Sequence, residues 1–235
     1  MNRLREFRVP LLILVIGSIV SVFAFPWDWP IRQNIVAEQG PEWGKSAERK
    51  MHGFIREWGD WPPMMVAAAI AYIIARARRN NRWSRIILAA MLASTLAGIV
   101  ANASRLTTGR TRPRESPKIE QGFYGPWHEG RLLVGVPAYN SFPSGHTATA
   151  FGFASVFVYA SPAWGVIVLA GAIAVAWSSI AIGAHHPSDV TVSITIALIV
   201  GWYVWRFARR WGSPEPNAPG RSSTQECNSP RDSNP

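Results

Sequence analysis

Six apolar runs, divided by links that carry most of the arginines, leave this chain few folds to choose from. They extend from about Val9 to Phe25, Trp61 to Ala77, Trp83 to Ala103, Ser144 to Ala160, Ala163 to Ile182 and Val190 to Phe207. Runs that approach the thickness of the hydrocarbon layer read as membrane-spanning helices. The expected fold is all-α: a polytopic bundle of six transmembrane helices forming one domain over residues 1–211. From Gly212 onward the sequence is rich in Ser, Pro, Asn and Gly, and residues 212–235 are expected to be a disordered cytoplasmic tail.

Arginine placement sets the expected orientation. Arg3, Arg5 and Arg8 precede the first run. Arg76, Arg78, Arg79, Arg82 and Arg85 crowd the link between the second and third, and Arg206, Arg209 and Arg210 follow the sixth. With six spans these segments share one side, so both termini are expected in the cytoplasm. The first run resembles a signal peptide in its flanking charge, but Phe25-Pro26-Trp27-Asp28-Trp29 follows it instead of a small-residue cleavage site. An uncleaved span is expected. The loop 104–142 breaks the orientation rule, because it faces outward and is also rich in arginine. Anion binding is a reason for arginines to be there. A formal net charge of +10 could also mean nucleic acid, but the arginines cluster beside apolar runs, and no nucleic-acid partner is expected. Cys227 is the sole cysteine, which excludes an intrachain disulfide and a cysteine metal cluster.

The outward segment from Pro26 to Asp60 holds Trp27, Trp29, Trp43 and Trp58, a residue type that favours the membrane interface. Within it Ala47, Met51, Phe54, Ile55 and Trp58 recur at helical spacing behind Ser46, a suitable N-cap. A helix along the periplasmic membrane surface is expected, or one packed over the mouth of the bundle.

Three polar clusters stand at the ends of apolar runs. Arg105 and Arg112-Pro113 offer planar donor forks that suit phosphate oxygens. Seven residues apart, they could point one way from a helix, unless Gly109 ends it. The plain alternative is a basic run that meets lipid head groups. Pro143-Ser144-Gly145-His146 opens the fourth run. The free amides of a helix start favour an anion, Gly145 permits close approach, Ser144 can cap or donate, and His146 can protonate a leaving oxygen. The plain alternative is a helix start with a surface histidine. Ala148, Gly152 and Ser155, further along, read as a small-residue packing stripe. In the third cluster Pro187 suits a first helical turn, and Asp189 follows His185 by four residues. A carboxylate there can accept the Nδ1 proton and leave Nε2 free to attack, or merely favour a helix N-terminus. His186 is the competing histidine, otherwise a capping side chain. A metal held by His146, His185 and Asp189 is disfavoured by the neighbouring arginines.

These clusters resemble the three motifs of the type-2 phosphatidic acid phosphatase superfamily, which includes membrane lipid phosphatases, glucose-6-phosphatases and vanadium haloperoxidases. Lys-x6-Arg-Pro is matched by Arg105 to Pro113, Pro-Ser-Gly-His by Pro143 to His146, and Ser-Arg-x5-His-x3-Asp by Ser178 to Asp189. The resemblance implies that His185 attacks phosphorus, Asp189 orients it, and His146 protonates the leaving alcohol. It assigns Arg105, Arg112, Ser144 and Gly145 to the phosphoryl oxygens and requires no cofactor or metal. Two positions depart from the pattern: Arg105 replaces a lysine, and Ser179 replaces a phosphate-binding arginine. Arg110 or Arg114 could fill that second place.

The expected protein is thus an inner-membrane phosphatase whose active site faces the periplasm or exterior, with membrane lipids around it. Its expected substrate is a lipid phosphate: phosphatidate, an isoprenyl phosphate or diphosphate, or a phosphorylated glycolipid. A lipid phosphotransferase, a non-catalytic lipid-phosphate-binding protein of the same fold and, more remotely, a transporter are the alternatives.

Overall fold

The computed structural model describes residues 2–38, 42–115 and 118–210. Seven α-helices follow in order: α1 (Asn2–Glu38), α2 (Ala47–Glu57), α3 (Trp61–Ala77), α4 (Asn81–Thr108), α5 (Gly145–Ala160), α6 (Pro162–Ala181) and α7 (Pro187–Ala208). By length and composition α1, α4, α6 and α7 can each cross a membrane, and α3 is a shorter apolar helix. The loop between α4 and α5 adds a small antiparallel hairpin, β1 (Trp127–His128) with β2 (Arg131–Leu132), to an otherwise helical fold. The expected tail and Cys227 lie outside the described residues.

Helix α5 is the axis of the bundle and packs on α4, α6 and α7. Small side chains make this possible. A Cβ at Gly152 would stand 2.9 Å from the Ala93 carbonyl oxygen and 3.0 Å from the Ala97 methyl, so α4 and α5 meet almost backbone to backbone. In lipid, where burial of apolar surface does not drive helices together, such close approach supplies the dispersion contact that does. Ala93, Ala97, Ala148 and Ala154 are fully buried along the same seam.

Local signals set the helix ends. Asn80 caps α4 by accepting from Trp83 N at 3.2 Å. Gly109, at φ +56°, ends α4 in the left-handed conformation, and backbone of Gly125 occupies the space a side chain would need. Ser46 caps α2, its hydroxyl accepting from Arg49 N at 3.1 Å. Helix α2 packs against α6 through His52, whose Nδ1 lies 3.1 Å from Ser178 Oγ. Its opposite edge leaves Met51, Phe54 and Trp58 exposed.

One boundary differs from expectation. Helix α1 does not stop near Phe25 but continues through Pro26 and Pro30 to Glu38. The segment before α2 is therefore shorter than expected, and Asp28 is a helical residue in an apolar span rather than part of a loop. The reason is tertiary: Asp28 and Arg32 are buried against the loop that follows α4, with Arg32 Nε donating to the Pro113 carbonyl at 3.2 Å.

The α4–α5 seam gives a direct test. Gly152→Leu is expected to cost about 1–3 kcal/mol by overpacking. Gly171→Leu, where a Cβ would meet nothing within 4 Å, is expected to be close to neutral. Thermal unfolding of both variants in one detergent measures the difference.

Candidate active site

The C-terminal end of α4, the N-terminal end of α5 and the α6–α7 link lie at the same end of the bundle, and they bring the three polar clusters together. The tight link is held from both sides. Ala184 N and His185 N both donate to the Ser179 carbonyl, at 3.1 and 3.2 Å, and Arg114 N donates to the Gly183 carbonyl at 3.0 Å.

His185 is almost fully buried. Its Nδ1 lies 2.7 Å from the Ser141 carbonyl oxygen, which can only accept, so Nδ1 carries the proton. The Nε2 atom is buried with no hydrogen-bond partner and presents its lone pair. Burial pushes the imidazole down to about 4, with Arg105 and Arg112 adding to the drop and the Asp189 carboxylate opposing it. At neutral pH His185 is therefore uncharged.

Asp189 does not make the direct bond that the four-residue spacing predicts. Its Oδ2 stands 3.8 Å from His185 Nδ1, too far for a hydrogen bond. Instead Oδ2 accepts from Ser141 Oγ at 2.5 Å and from His186 N at 2.8 Å. Asp189 thus acts on His185 through Ser141, whose hydroxyl it holds and whose carbonyl takes the imidazole proton. Its other oxygen, Oδ1, pairs with Arg110 Nη1. Arg110 Nη2 in turn bonds Asp28 Oδ2 at 2.6 Å, and Ser188 Oγ donates to the same Asp28 atom at 2.5 Å. Neither Ser141 nor Asp28 belongs to a cluster read from sequence. Ser141 carries only a weak signal, two residues ahead of Pro143, and Asp28 carries none.

Arg105 reaches over the start of α5. Its Nε donates to the Pro143 carbonyl at 2.8 Å, and a Cβ at Gly145 would meet its Nη2 at 2.9 Å. Gly145 is thus where the guanidinium and the helix N-terminus converge. Ser144 is the N-cap residue, fully buried, with its Oγ 2.9 Å from Thr147 Oγ1 rather than on the helix backbone. Arg112 comes from the loop beyond Gly109, not from α4. Its Nη2 donates to the Asn140 carbonyl at 3.3 Å, while its Nε is buried and unpartnered. Burial, and then the nearby Arg114, Arg105 and Arg56, hold Arg112 down to about 10. His146 is half-buried. Its Nδ1 lies 3.2 Å from Arg56 Nη2 and its Nε2 lies 3.5 Å from Asp60 Oδ1.

His186 is a capping residue, as its position before Pro187 allows. It is buried, and its Nε2 lies 3.2 Å from the Thr111 carbonyl oxygen. Of the two arginines that could fill the place left by Ser179, Arg110 is held by Asp28, Asp189 and Ser188. Arg114 pairs with Glu115 at 3.2 Å.

The arrangement combines an uncharged imidazole with a free nitrogen, a second imidazole at a helix start, and guanidinium groups crowded without matching carboxylates. Such an arrangement has the groups that receiving and attacking an anion would require.

The chain is similar in sequence and in fold to known proteins. A lipid A 1-phosphatase of Rhizobium etli is 31% identical over 106 residues, 45% of this chain and 42% of that protein. Undecaprenyl-diphosphatase BcrC of Bacillus subtilis is 32% identical over 83 residues, 34% of this chain and 42% of that protein. The matched stretch spans less than half the length of either relative. Among solved structures, the PAP2-type phosphatidylglycerolphosphate phosphatase of Bacillus subtilis has the same fold, with a TM-score of 0.55 at 16% identity over 86% of this chain and 96% of that one. LpxE of Aquifex aeolicus gives 0.50 at 22% identity over 76% and 94%. A sequence profile of the PAP2 superfamily matches residues 85–213, more than half of the chain and all three clusters. The chain belongs to the PAP2 superfamily.

Proposed function

We infer that the protein is an integral-membrane phosphatase that hydrolyses lipid phosphates through a phosphohistidine. The observation that carries this reading is the state of His185: its Nδ1 is held at 2.7 Å by the Ser141 carbonyl, and its free Nε2 lies among arginines. Nε2 attacks phosphorus, the bond from phosphorus to the lipid oxygen breaks, and His146 gives that oxygen its proton. Water then attacks the phosphohistidine, His146 takes a proton from it, and inorganic phosphate leaves. Arg105 and Arg112, with Ser144 and the Gly145 amide at the start of α5, bind the non-bridging oxygens as charge redistributes over them. Asp189 keeps Ser141, and through it the imidazole, in place. No metal takes part, because the crowded guanidinium groups would repel a cation.

A lipid substrate is supported by an apolar groove of about 450 Å³ between α3 and α6. Trp58, Met64, Phe157, Trp164 and Val168 line it, so it extends from the end of α2 along the bundle and suits an acyl or isoprenyl chain. The relatives named above act on lipid A or undecaprenyl diphosphate, which favours a glycolipid or isoprenyl substrate. Six spans over residues 1–211 in the inner membrane, cytoplasmic termini, a site facing the periplasm and α2 along that surface complete the reading.

Phosphate release from a panel of lipid phosphates in detergent tests the chemistry. Release is expected to persist with a chelator present, to vanish in His185→Ala, and to fall by roughly 10²–10⁴ in His146→Ala. Lipid-phosphate binding without release would mean a non-catalytic member of the fold. Release that survives His185→Ala would rule out the phosphohistidine.

The protonation of His185 gives a second test. Its pKa is depressed, so the imidazole stays neutral down to about 4, where an ordinary histidine would already be charged below about 6.5. Nitrogen NMR of histidine-labelled protein, compared with His185→Ala to assign the signal, is expected to show this residue protonating near 4. A midpoint above 6 would contradict the buried, neutral nucleophile.

A further inference from the structure

Position 179 leaves the site one guanidinium short of its family pattern. Ser179 cannot replace it, since it is fully buried and its hydroxyl donates to the Val175 carbonyl at 2.9 Å. Arg110 and Arg114 have carboxylate partners.

Another arginine reaches the site from outside the three clusters. Arg56 lies in the last turn of α2, and its Nη2 is 3.2 Å from His146 Nδ1. Its Nε is buried and has no hydrogen-bond partner. It is close enough to Arg105, Arg112 and Arg114 for each pair to repel. Nothing in helix formation demands this. Helix α2 is already held to α6 through His52 and Ser178. A cation kept beside other cations, with a donor unused, is placed for an anion that all of them share.

We propose that Arg56 supplies, from the surface helix α2, the phosphate-binding guanidinium that position 179 lacks. Nη2 donates to His146 Nδ1, which orients the ring with its proton on Nε2. Nε–H and Nη1 remain for a non-bridging phosphoryl oxygen. The family's charge count is restored by a residue distant in sequence, on a helix that precedes the matched segment.

This inference rests on the phosphatase reading, and two readouts separate them. The first is turnover by the full chain in detergent. Arg56→Ala is expected to lower kcat by on the order of 10²–10³. Millimolar guanidinium ion should restore part of the loss. Arg56→Lys should recover little, because a point charge cannot reproduce the fork. The second readout needs no turnover: inorganic phosphate binding, followed by calorimetry, should weaken at least tenfold in Arg56→Ala and persist in His185→Ala. If wild-type protein releases no phosphate, the phosphatase reading fails, and the binding arm still decides the role of Arg56. Wild-type phosphate affinity in Arg56→Ala would overturn the inference. So would a loss of activity that guanidinium does not rescue and that follows a lowered unfolding temperature.

Discussion

Arg110 sits between two carboxylates, and the site depends on that arrangement. One side of its guanidinium meets Asp189 of α7, and the other meets Asp28 of α1. All three groups are buried, so each would be costly alone. Together, with Ser188 and Ser141 taking the remaining oxygens, they form a closed set in which every charge has a partner. The loop after α4, the first helix and the start of α7 are thereby fixed to one another. Ser141 hangs from this set, and His185 hangs from Ser141.

The neighbouring arginines are arranged in the opposite way. Arg105, Arg112 and Arg56 donate to backbone carbonyls, an asparagine and a histidine, and none has an ion pair of its own within 4.0 Å among the described residues. Low dielectric strengthens their mutual repulsion, which the proposed anion would relieve. The same chain thus holds arginine in two ways, once between carboxylates and several times without an ion pair, as the proposed anion binding requires. The arginine-rich loop after α4, anomalous under the expected orientation, contains both kinds.

Much of this was legible in the sequence because the relevant signals are local. Helix starts at Ser46 and Pro187, the end at Gly109 and the packing stripe through Gly152 all depend on a few neighbouring residues. The three clusters were legible as motifs, and the helix ends that carry them bring them together. The unread features are pairings across long stretches of chain. Asp28 looked like part of an interfacial loop because its partner, Arg110, is 82 residues away. Arg56 carried no signal in the sequence, and His146 is 90 residues away. The His185–Asp189 spacing was read as a direct hydrogen bond, but spacing cannot reveal that the Ser141 carbonyl takes the Nδ1 proton instead.

Asp28 and Arg56 both lie before residue 85, where recognisable family sequence begins. A chain cut back to that segment would keep every motif residue. It would nonetheless strand Arg110 with half its counter-charge and leave His146 without its neighbour on α2. In this protein the recognisable signature and the working apparatus are different lengths of polypeptide, so swapping the segment onto a foreign N-terminal half would transplant the letters without the wiring.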